Sequence, residues 1–353
     1  MFYQSTQKGN SVKPKVLITG GAGFIGSNFV DLLVRQGFSV TVLDAFTYAG
    51  HPENLAHLKG EIEIVRGDIA DEKLVASLFE SQKFQWVVNF AAESHVDRSI
   101  SGPAPFVHTN VNGVFNLLNC SRKHFENLNS ELKKNFRYLQ ISTDEVYGEL
   151  GDTGFFTEES PYRPNSPYSA SKASGDMFTR AWFKTYGLPT LITNCSNNYG
   201  PRQFPEKLIP FMIHNALGGK PMGIYGRGQN VRDWIHVEDH CHGILLALRS
   251  GQTGNTYCFG GRAEKNNVEV VEQICALLDE MRPRPNGGSY REQITFVQDR
   301  PGHDHRYAID DTRAETKLGF KRKYDFKEGL RQTVKWYLEN ENWVHSVLRR
   351  GDS

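Results

Sequence analysis

The sequence has few of the features that mark secreted, membrane-spanning or polyanion-binding proteins. Only five of its 353 residues are cysteine, widely scattered and never in a Cys-x-x-Cys pair, so we expect reduced thiols in a cytoplasmic compartment. No window reaches the ~18 to 20 continuous apolar residues of a transmembrane helix. Lys and Arg number 41 against 40 Asp and Glu, so no charge excess predicts binding to nucleic acid or to an anionic membrane.

The chain alternates between apolar runs of strand length and helical patterns of about three turns. Residues 1–13 are polar, lack the apolar core of a signal peptide or anchor, and are predicted to form a flexible tail. The alternation that follows predicts βαβ units, and hence an α/β fold with a doubly wound parallel sheet of the Rossmann type. The predicted strands are KVLIT, SVTVLD, EIEIVRGD, WVVNFAA, FRYLQIST and LPTLITNCS, and the predicted helices are 24–35, 71–81, 105–125 and 166–186.

The texture changes near Pro201, where Pro and Gly become more frequent and apolar runs such as MGIYG and DWIHV are short. A helix is predicted from Val268 to Met281, followed by a surface loop at MRPRPNGGSY. We therefore expect a cofactor-binding domain over 14–200. Residues 201–350 are predicted to form mainly a smaller α/β substrate domain, interleaved with the first.

A glycine-rich turn lies between the first predicted strand and the first predicted helix. Gly20 would permit a tight turn, Gly23 the approach of a pyrophosphate, and Gly26 close packing of the helix on the sheet. A chance Gly-rich turn would give the same letters. The preceding strand, the following helix and an acid downstream favour a dinucleotide site.

That acid is Asp44, which ends the second predicted strand and is placed to accept hydrogen bonds from a ribose. No Arg or Lys follows it in DAFTYAG, so NAD is favoured over NADP. Asp68 ends the third predicted strand. It is predicted either to lie near the adenine or to cap the next helix.

Tyr168 and Lys172 are four residues apart on a predicted helix, so their side chains share one face. A nearby ammonium and a positive nicotinamide would lower the pKa of the phenol, allowing Tyr168 to exchange a proton with a substrate hydroxyl. A solvated helix face is the alternative interpretation of this spacing. The nucleotide-binding pattern and the hydroxyl of Thr143 at a strand end favour the catalytic one.

Together these features resemble the extended short-chain dehydrogenase/reductase family and, within it, the nucleotide-sugar 4,6-dehydratases. The resemblance runs from about Pro14 to Phe320. Its blocks are GGAGFIGSNFV, LDAFTYAG, NFAAESHVDRSI, STDEVYGEL, NSPYSASKA, TNCSNNYGPRQFPEKLIP, VRDWIHVEDH and RPGHDHRYAID. It implies further NAD contacts at Phe24, Ile25, Thr47, Ile69, Ala91 and Ala92, as well as at Tyr168 and Lys172.

The implied reaction is the NAD-dependent loss of water from dTDP-glucose, giving dTDP-4-keto-6-deoxyglucose by internal hydride transfer from C4 to C6. In it Tyr168 is the C4 base, Thr143 hydrogen-bonds the C4 oxygen, Glu145 removes the C5 proton and Asp144 protonates the leaving C6 hydroxyl. The same reaction on UDP-glucose or another nucleotide hexose remains an alternative. A sugar-nucleotide epimerase or decarboxylase, or a non-catalytic dinucleotide-binding protein, also remains open.

Asp144 and Glu145 must satisfy two physical conditions for this role. Asp144 must be protonated near neutral pH, which requires burial and a neighbouring carboxylate to raise its pKa. Because consecutive strand residues point to opposite faces, both acids reach one sugar only if the strand ends by about Ser142. We therefore predict a loop over residues 143–145; a solvated turn without catalytic function is the alternative.

The resemblance also implies a set of substrate contacts in the second half of the chain. Arg232 and Arg300 would clamp the diphosphate and His303 would contact the nucleotide, although a surface ion pair or loop hydrogen bond is the alternative for each. The full set is Ser94, Thr143, Asn197, Glu206, Lys207, Leu208, Tyr225, Arg232, Asn267, Arg300 and His303.

No metal site is predicted, because the histidines other than His95, His303 and His305, such as His240 and His242, lack ligand spacing. By resemblance, helices 105–125 and 166–186 would pair two chains into a homodimer through a four-helix seam. His51 replaces the asparagine typical of the family. Arg202 replaces an aromatic residue beside the predicted substrate loop, where we expect it to alter substrate preference.

Overall fold

The computed structural model describes residues 13–299 and 302–351, so the predicted tail lies, apart from Lys13, outside the described residues. The strands are β1 (Lys15–Thr19), β2 (Ser39–Asp44), β3 (Glu63–Arg66), β4 (Trp86–Asn89), β5 (Arg137–Thr143), β6 (Thr190–Cys195), β7 (Asn197–Tyr199), β8 (Met222–Tyr225), β9 (Val231–His236), β10 (Thr256–Phe259), β11 (Glu264–Asn266) and β12 (Ile294–Val297). The α-helices are α1 (Phe24–Arg35), α2 (Glu72–Ser81), α3 (Val96–Ser101), α4 (Ala104–Val107), α5 (Val114–Asn127), α6 (Ser130–Asn135), α7 (Pro167–Tyr186), α8 (Leu208–Leu217), α9 (Val237–Ser250), α10 (Asn267–Met281), α11 (Thr312–Leu318), α12 (Phe326–Glu339) and α13 (Glu341–Gly351).

The central layer is a seven-stranded sheet in the order β10-β6-β5-β4-β1-β2-β3, and each neighbouring pair is parallel. Order reverses between β1 and β4, which is the switch point where ligands bind in such sheets. The predicted doubly wound α/β fold is therefore confirmed.

Both faces of this sheet are covered by helices, as alternate residues of β1 demonstrate. Val16 and Ile18 pack into a core with α1 and α9, whereas Leu17 between them packs into the core on the opposite face with α2, α5 and α7. Because side chains alternate along a strand, a continuous apolar run such as KVLIT fills both cores at once.

The ends of α7 follow from the local sequence. Ser166 accepts from the backbone of Ser169, whose side chain in turn bonds the Ser166 amide, so two otherwise unpaired donors are satisfied. Pro167 fits the first turn, and Gly187 closes the helix in the left-handed conformation, with φ +67°. These caps fix where Tyr168 enters the helix.

The second half of the chain builds a smaller unit beside the carboxyl ends of the large sheet. It contains a three-stranded sheet, β11-β9-β7, a parallel pair, β12-β8, and a core shared by α8, α10 and α12. The strand β10 and the helix α9 nevertheless belong to the layers of the large sheet. The division into 14–200 and an interleaved 201–350 stays a proposal. Of the part of the chain that is described, no helix is both long and apolar enough to cross a membrane.

Three sequence predictions need correction. The strand β5 extends to Thr143 rather than ending by Ser142, and Asp144–Tyr147 form a turn of 3-10 helix instead of a loop. The predicted helix 105–125 is interrupted by a π-helical turn at His108–Gly113. The strand β10 was not predicted, because four residues carry too little pattern to separate a strand from a loop.

Candidate active site

The turn between β1 and α1 is built to let backbones approach closely. Gly20 has φ +68°, and a Cβ there would lie 2.5 Å from the amide nitrogen of Ala91, which follows β4. A Cβ on Gly26 would lie 2.3 Å from the Gly20 carbonyl, so this glycine serves the approach of α1 to its own turn, not to a strand as predicted. A Cβ on Gly23 would lie 3.3 Å from the Gly20 carbonyl oxygen, a tight contact just before the first amides of α1.

This turn opens on a cavity of about 100 Å³, here called the dinucleotide pocket. Eight of the residues predicted to bind the cofactor line it: Gly20, Gly23, Asp44, Thr47, Asp68, Ile69, Ala91 and Ala92. The first amides of α1 have no intrahelical acceptors and carry the positive end of the helix dipole. The residues present therefore fit a dinucleotide, although their roles remain predictions.

The two predicted ribose and adenine contacts make other hydrogen bonds in the protein itself. Asp44 accepts from the amides of Ala22 and Phe46, both at 2.8 Å, and burial raises its pKa while these bonds oppose the rise. Asp68 accepts from the Ala70 amide at 2.8 Å. The cap of α2 is Asp71 instead, which accepts from Leu74, so Asp68 is not the helix cap.

A second cavity of about 280 Å³, here called the catalytic cavity, adjoins the glycine-rich turn. The five predicted catalytic residues line it: Thr143, Asp144, Glu145, Tyr168 and Lys172. The ends of β5 and β6 and the first two turns of α7 supply its walls. The cavity is also lined by Phe24, Ile25, Gly26 and Ser94. The structure thus brings the predicted chemistry to the carboxyl ends of the sheet.

Asp144 is a buried carboxyl group, 2% exposed. Its pKa lies well above the usual range because burial disfavours the ionised form and because Glu145 and Asp233 add negative charge nearby; Arg232 opposes the rise. The Thr143 hydroxyl donates to its Oδ1 at 3.3 Å, whereas Oδ2 has no hydrogen-bond partner among the described residues. The prediction that burial and a second carboxylate raise its pKa is confirmed.

Asp144→Asn is expected to raise the free energy of unfolding at neutral and alkaline pH. Below about pH 4 the aspartic acid is protonated in both folded and unfolded chains. Above that pH the unfolded chain releases the proton while the folded chain keeps it, so wild-type stability falls as pH rises toward the folded pKa. Asparagine avoids this loss, on the order of 1 kcal/mol per pH unit.

Urea unfolding of both proteins from pH 4 to 8 measures the effect. Asp71→Asn is the matched control, because asparagine also caps helices and little change is expected at any pH. A stability difference between Asp144→Asn and wild type that does not grow with pH would contradict a neutral Asp144.

Tyr168 and Lys172 lie on one face of α7, both buried. The predicted lowering of the Tyr168 pKa is wrong for the protein itself. Burial has the largest effect and raises the pKa of the phenol well above 10, and Glu145, Cys195 and Asp144 act in the same direction. A hydrogen bond with Thr143 opposes this rise. Burial also lowers the pKa of Lys172, whose ammonium donates to the Ile141 carbonyl at 2.6 Å.

The third cavity, of about 800 Å³, is here called the substrate cavity and lies between the large sheet and the second unit. Glu145, Asn197, Glu206 and Lys207 line both this cavity and the catalytic cavity, so the two adjoin. The other predicted substrate residues in its walls are Leu208, Tyr225, Arg232, Asn267 and His303. Arg300 lies outside the described residues.

Several of these side chains already bond the protein. Arg232 donates to the carbonyls of Val231 and Asp304, at 2.8 and 2.9 Å, and packs over the Tyr307 ring. Its diphosphate role stays a prediction; in the structure its charge opposes the pKa rise of Asp144. His303, which lines the same cavity, has its Nδ1 2.6 Å from Asp299 Oδ1.

The sequence reasoning missed a cluster around Glu206. His95 and Arg98 lie 3.5 and 3.6 Å from one Glu206 oxygen, and Arg98 stacks over the Tyr48 ring at 3.9 Å. Both residues occur in the block NFAAESHVDRSI, so the signal was present, but their partner lies more than 100 residues away in sequence. Across the described ranges, no group of three or more potential ligands could hold a metal ion.

The two departures from the family pattern, His51 and Arg202, line neither the catalytic nor the substrate cavity. His51 stacks on Phe204, with ring centroids 5.1 Å apart. Arg202 turns toward α1, where it bonds Asp31 at 2.6 Å and Asn28 at 2.9 Å, and it does not line the substrate cavity. The expectation that Arg202 alters substrate preference therefore finds no contact to support it.

Comparison with known proteins places the chain among nucleotide-sugar enzymes. Residues 17–333 match the family model described as GDP-mannose 4,6 dehydratase. A dTDP-glucose 4,6-dehydratase of Xanthomonas campestris pv. campestris is 54% identical over 94% of this chain and 95% of its own length.

Two solved structures are similar along nearly their whole length. The dTDP-glucose 4,6-dehydratase of Bacillus anthracis, in complex with NAD, has a TM-score of 0.84 at 44% identity, covering 95% of this chain and 99% of its own. The enzyme of the same name from Streptomyces venezuelae, with NAD bound, gives 0.85 at 44% identity, covering 94% and 99%.

Proposed function

The chain belongs to the family that the GDP-mannose 4,6 dehydratase model describes, and from this premise we propose that it converts dTDP-glucose to dTDP-4-keto-6-deoxyglucose with loss of water, using NAD. One observation carries the proposal. Asp144, a buried carboxyl group whose pKa is raised, lines the catalytic cavity beside Tyr168, and its neighbour Glu145 lies where that cavity adjoins the substrate cavity. Moving a hydride at one carbon would need only the tyrosine, whereas removing water needs an acid and a base.

The dinucleotide pocket and the glycine-rich turn would hold NAD, with the α1 amides and Asp44 as the main polar contacts. When bound, NAD supplies the acceptor for the C4 hydride and returns that hydride to C6, so it is not consumed. The dinucleotide pocket and the catalytic cavity both border the glycine-rich turn, which supports the binding of one extended cofactor across them. Five buried free cysteines further support a reducing, cytoplasmic location.

Tyr168 accepts the proton of the C4 hydroxyl as C4 becomes a ketone. The Thr143 hydroxyl, a hydrogen-bond partner of the phenol, orients the C4 oxygen toward it. Lys172 stays buried beneath, fixed by the Ile141 carbonyl. Its ammonium favours the phenolate over the phenol, and the oxidised cofactor adds positive charge in the same sense.

The C4 ketone makes the C5 hydrogen acidic, and Glu145 removes that proton. Asp144 gives its own proton to the C6 hydroxyl, so the C6–O bond breaks and water leaves. After the hydride reaches C6, a proton returns to C5 and completes the 4-keto-6-deoxy sugar. The proton taken up by Tyr168 balances the one given by Asp144, so the net change is the loss of one water.

The test uses the purified protein without added NAD, incubated separately with dTDP-glucose, UDP-glucose and GDP-glucose and followed by mass spectrometry. We expect dTDP-glucose to lose the mass of one water, with the cofactor retained from the host cell. An unchanged mass accompanied by inversion at C4 would replace the proposal with an epimerase. Dehydration of UDP-glucose in preference to dTDP-glucose would revise the nucleotide alone.

We also propose that two chains pair through an exposed apolar face on α5 and α7. Phe115 and Met177 are 44% and 54% exposed. Phe115 contacts the rings of Phe178 and Trp182, and Trp182 contacts Tyr186, so the face is continuous. A solvent-exposed aromatic surface of this kind is typical of a subunit interface.

Changing Phe115→Glu together with Met177→Glu is expected to convert a dimer into a monomer, because carboxylates of like charge would be buried in the seam without positive partners. Light scattering coupled to size exclusion measures the mass. Phe296→Glu is the control: Phe296 is 61% exposed on β12, outside this face, and its variant should remain dimeric. A dimeric double variant, or a monomeric wild type, would overturn the proposal.

A further inference from the structure

A buried carboxylate that the proposed chemistry does not use lies one helical turn beyond Lys172. Asp176 is 1% exposed. Its Oδ2 accepts from the Ser142 hydroxyl at 2.6 Å and from the Tyr162 hydroxyl at 3.1 Å. A buried ionised carboxylate is unfavourable unless it is hydrogen-bonded or faces a positive charge. Asp176 has both.

The contacts run in register along the end of β5. Ile141 offers its carbonyl to the Lys172 ammonium, Ser142 donates to Asp176, and Thr143 lines the catalytic cavity. Asn194 of the neighbouring strand donates to the Thr143 carbonyl at 2.9 Å. Two successive turns of α7 are thus joined to two successive residues of β5, Ile141 and Ser142, immediately before Thr143.

We propose that Asp176 is a positioning residue: its carboxylate is the buried counter-charge that keeps the Lys172 ammonium protonated and holds it against the end of β5. Positions four apart on a helix lie on one face, so Asp176 is adjacent to Lys172, whereas Tyr168 is a further turn away. Asp176 acts on the reaction through Lys172, and touches neither the catalytic nor the substrate cavity.

The electrostatic effects of the surrounding groups support this role of Asp176. Burial lowers the pKa of Lys172, and Asp176 is the largest influence opposing it, followed by Cys195 of β6. Burial raises the pKa of Asp176 to about 6, opposed first by Lys172 and then by Ser142, Tyr162 and Asn194. Of the other groups facing this region, Asp144, Glu145 and Cys195 raise the pKa of Tyr168. The charge of Asp176 raises the pKa values of Tyr138 and Tyr147.

The inference rests on the proposed function, and its test is the pH profile of kcat for dehydration. In wild type we expect activity to fall below about pH 6, where Asp176 becomes protonated. Asp176→Asn keeps an oxygen for Ser142 and Tyr162 but removes the charge. Lys172 then loses its proton at lower pH and favours the Tyr168 phenolate less, so the acid limb moves up.

The expected size is a shift of about one pH unit or more, with kcat about tenfold lower at pH 7 and recovering toward higher pH. The KM for the sugar nucleotide should stay within about twofold, since its contacts lie elsewhere. Asp279→Asn is the matched control. Asp279 also accepts from a serine hydroxyl at 2.6 Å, but in α10, and its variant should keep the wild-type profile.

The outcomes separate the two proposals. An inactive wild type would count against the proposed function alone. If the wild type is active and the acid limb of Asp176→Asn is unchanged or moves to lower pH, the role of Asp176 is overturned. In that case the repulsion between the Asp176 carboxylate and the Tyr168 phenolate would outweigh the effect of Asp176 on Lys172. If that variant does not fold, Ser142→Ala with Tyr162→Phe tests the same point: losing both donors should leave Asp176 protonated at pH 7 and shift the limb upward.

Discussion

Glu145→Gln is expected to stop turnover after the first oxidation, lowering kcat by about 10² to 10⁴-fold. The amide keeps the shape of the side chain where the two cavities meet but cannot accept the C5 proton. Oxidation at C4 needs Tyr168 and not Glu145, so reduced cofactor should accumulate on the protein. The measurement is the near-ultraviolet absorbance of reduced nicotinamide after mixing with dTDP-glucose, in parallel with product mass.

Exchange of the C5 hydrogen with deuterated water distinguishes the two acids. Asp144→Asn should lower kcat to a similar extent, because the C6 hydroxyl then leaves without a proton, but C5 exchange should continue through Glu145. In Glu145→Gln the exchange should cease as well. Glu149→Gln, four residues along the chain and outside both cavities, is the control and should turn over normally. Equal C5 exchange in Asp144→Asn and Glu145→Gln would contradict separate roles for the two acids.

Tyr168→Phe is expected to lose both halves of the reaction, with kcat down by about 10³-fold or more. Without the phenol, no group at this position takes the C4 proton. Neither reduced cofactor nor C5 exchange should therefore appear, which separates this variant from Glu145→Gln. Single-turnover absorbance and deuterium incorporation measure both in one experiment.

Tyr147→Phe serves as the control for this change. Its hydroxyl is also buried near the end of β5, 3.6 Å from the Cys258 sulfur, but does not line the catalytic cavity. Near-normal turnover is expected. If Tyr168→Phe still formed reduced cofactor at the wild-type rate, the C4 proton would have another acceptor and the role of Tyr168 would be withdrawn.

Chain-local signals were enough to predict the cofactor turn and the Tyr168–Lys172 pair. Gly20, Gly23 and Gly26 lie within one turn, and Tyr168 and Lys172 within one turn of helix, so spacing alone brings each set together. The doubly wound parallel sheet followed from alternation of the same local patterns and from the handedness of crossovers, whereas the strand order was not predicted.

The remainder depended on contacts between distant segments. Asp176 meets Ser142 across 34 residues, and the carbonyls that hold Arg232 include one more than 70 residues away. The pKa of Tyr168 was predicted in the wrong direction for the same reason: the Lys172 spacing was visible, whereas burial by the rest of the fold was not. A pattern gives neighbours along a helix, but not the dielectric around it.

The packing of α7 also bears on how this protein can change over evolutionary time. Between Tyr168 and Asp176 only Ala170 is exposed, whereas the second half of the helix presents residues such as Met177, Arg180 and Lys184 to solvent. Substitutions in the first half of α7 would therefore almost all change buried side chains that pack against strand ends or line a cavity. Sequence drift in α7 should therefore be confined mainly to the exposed positions of its last three turns that lie outside the proposed pairing face.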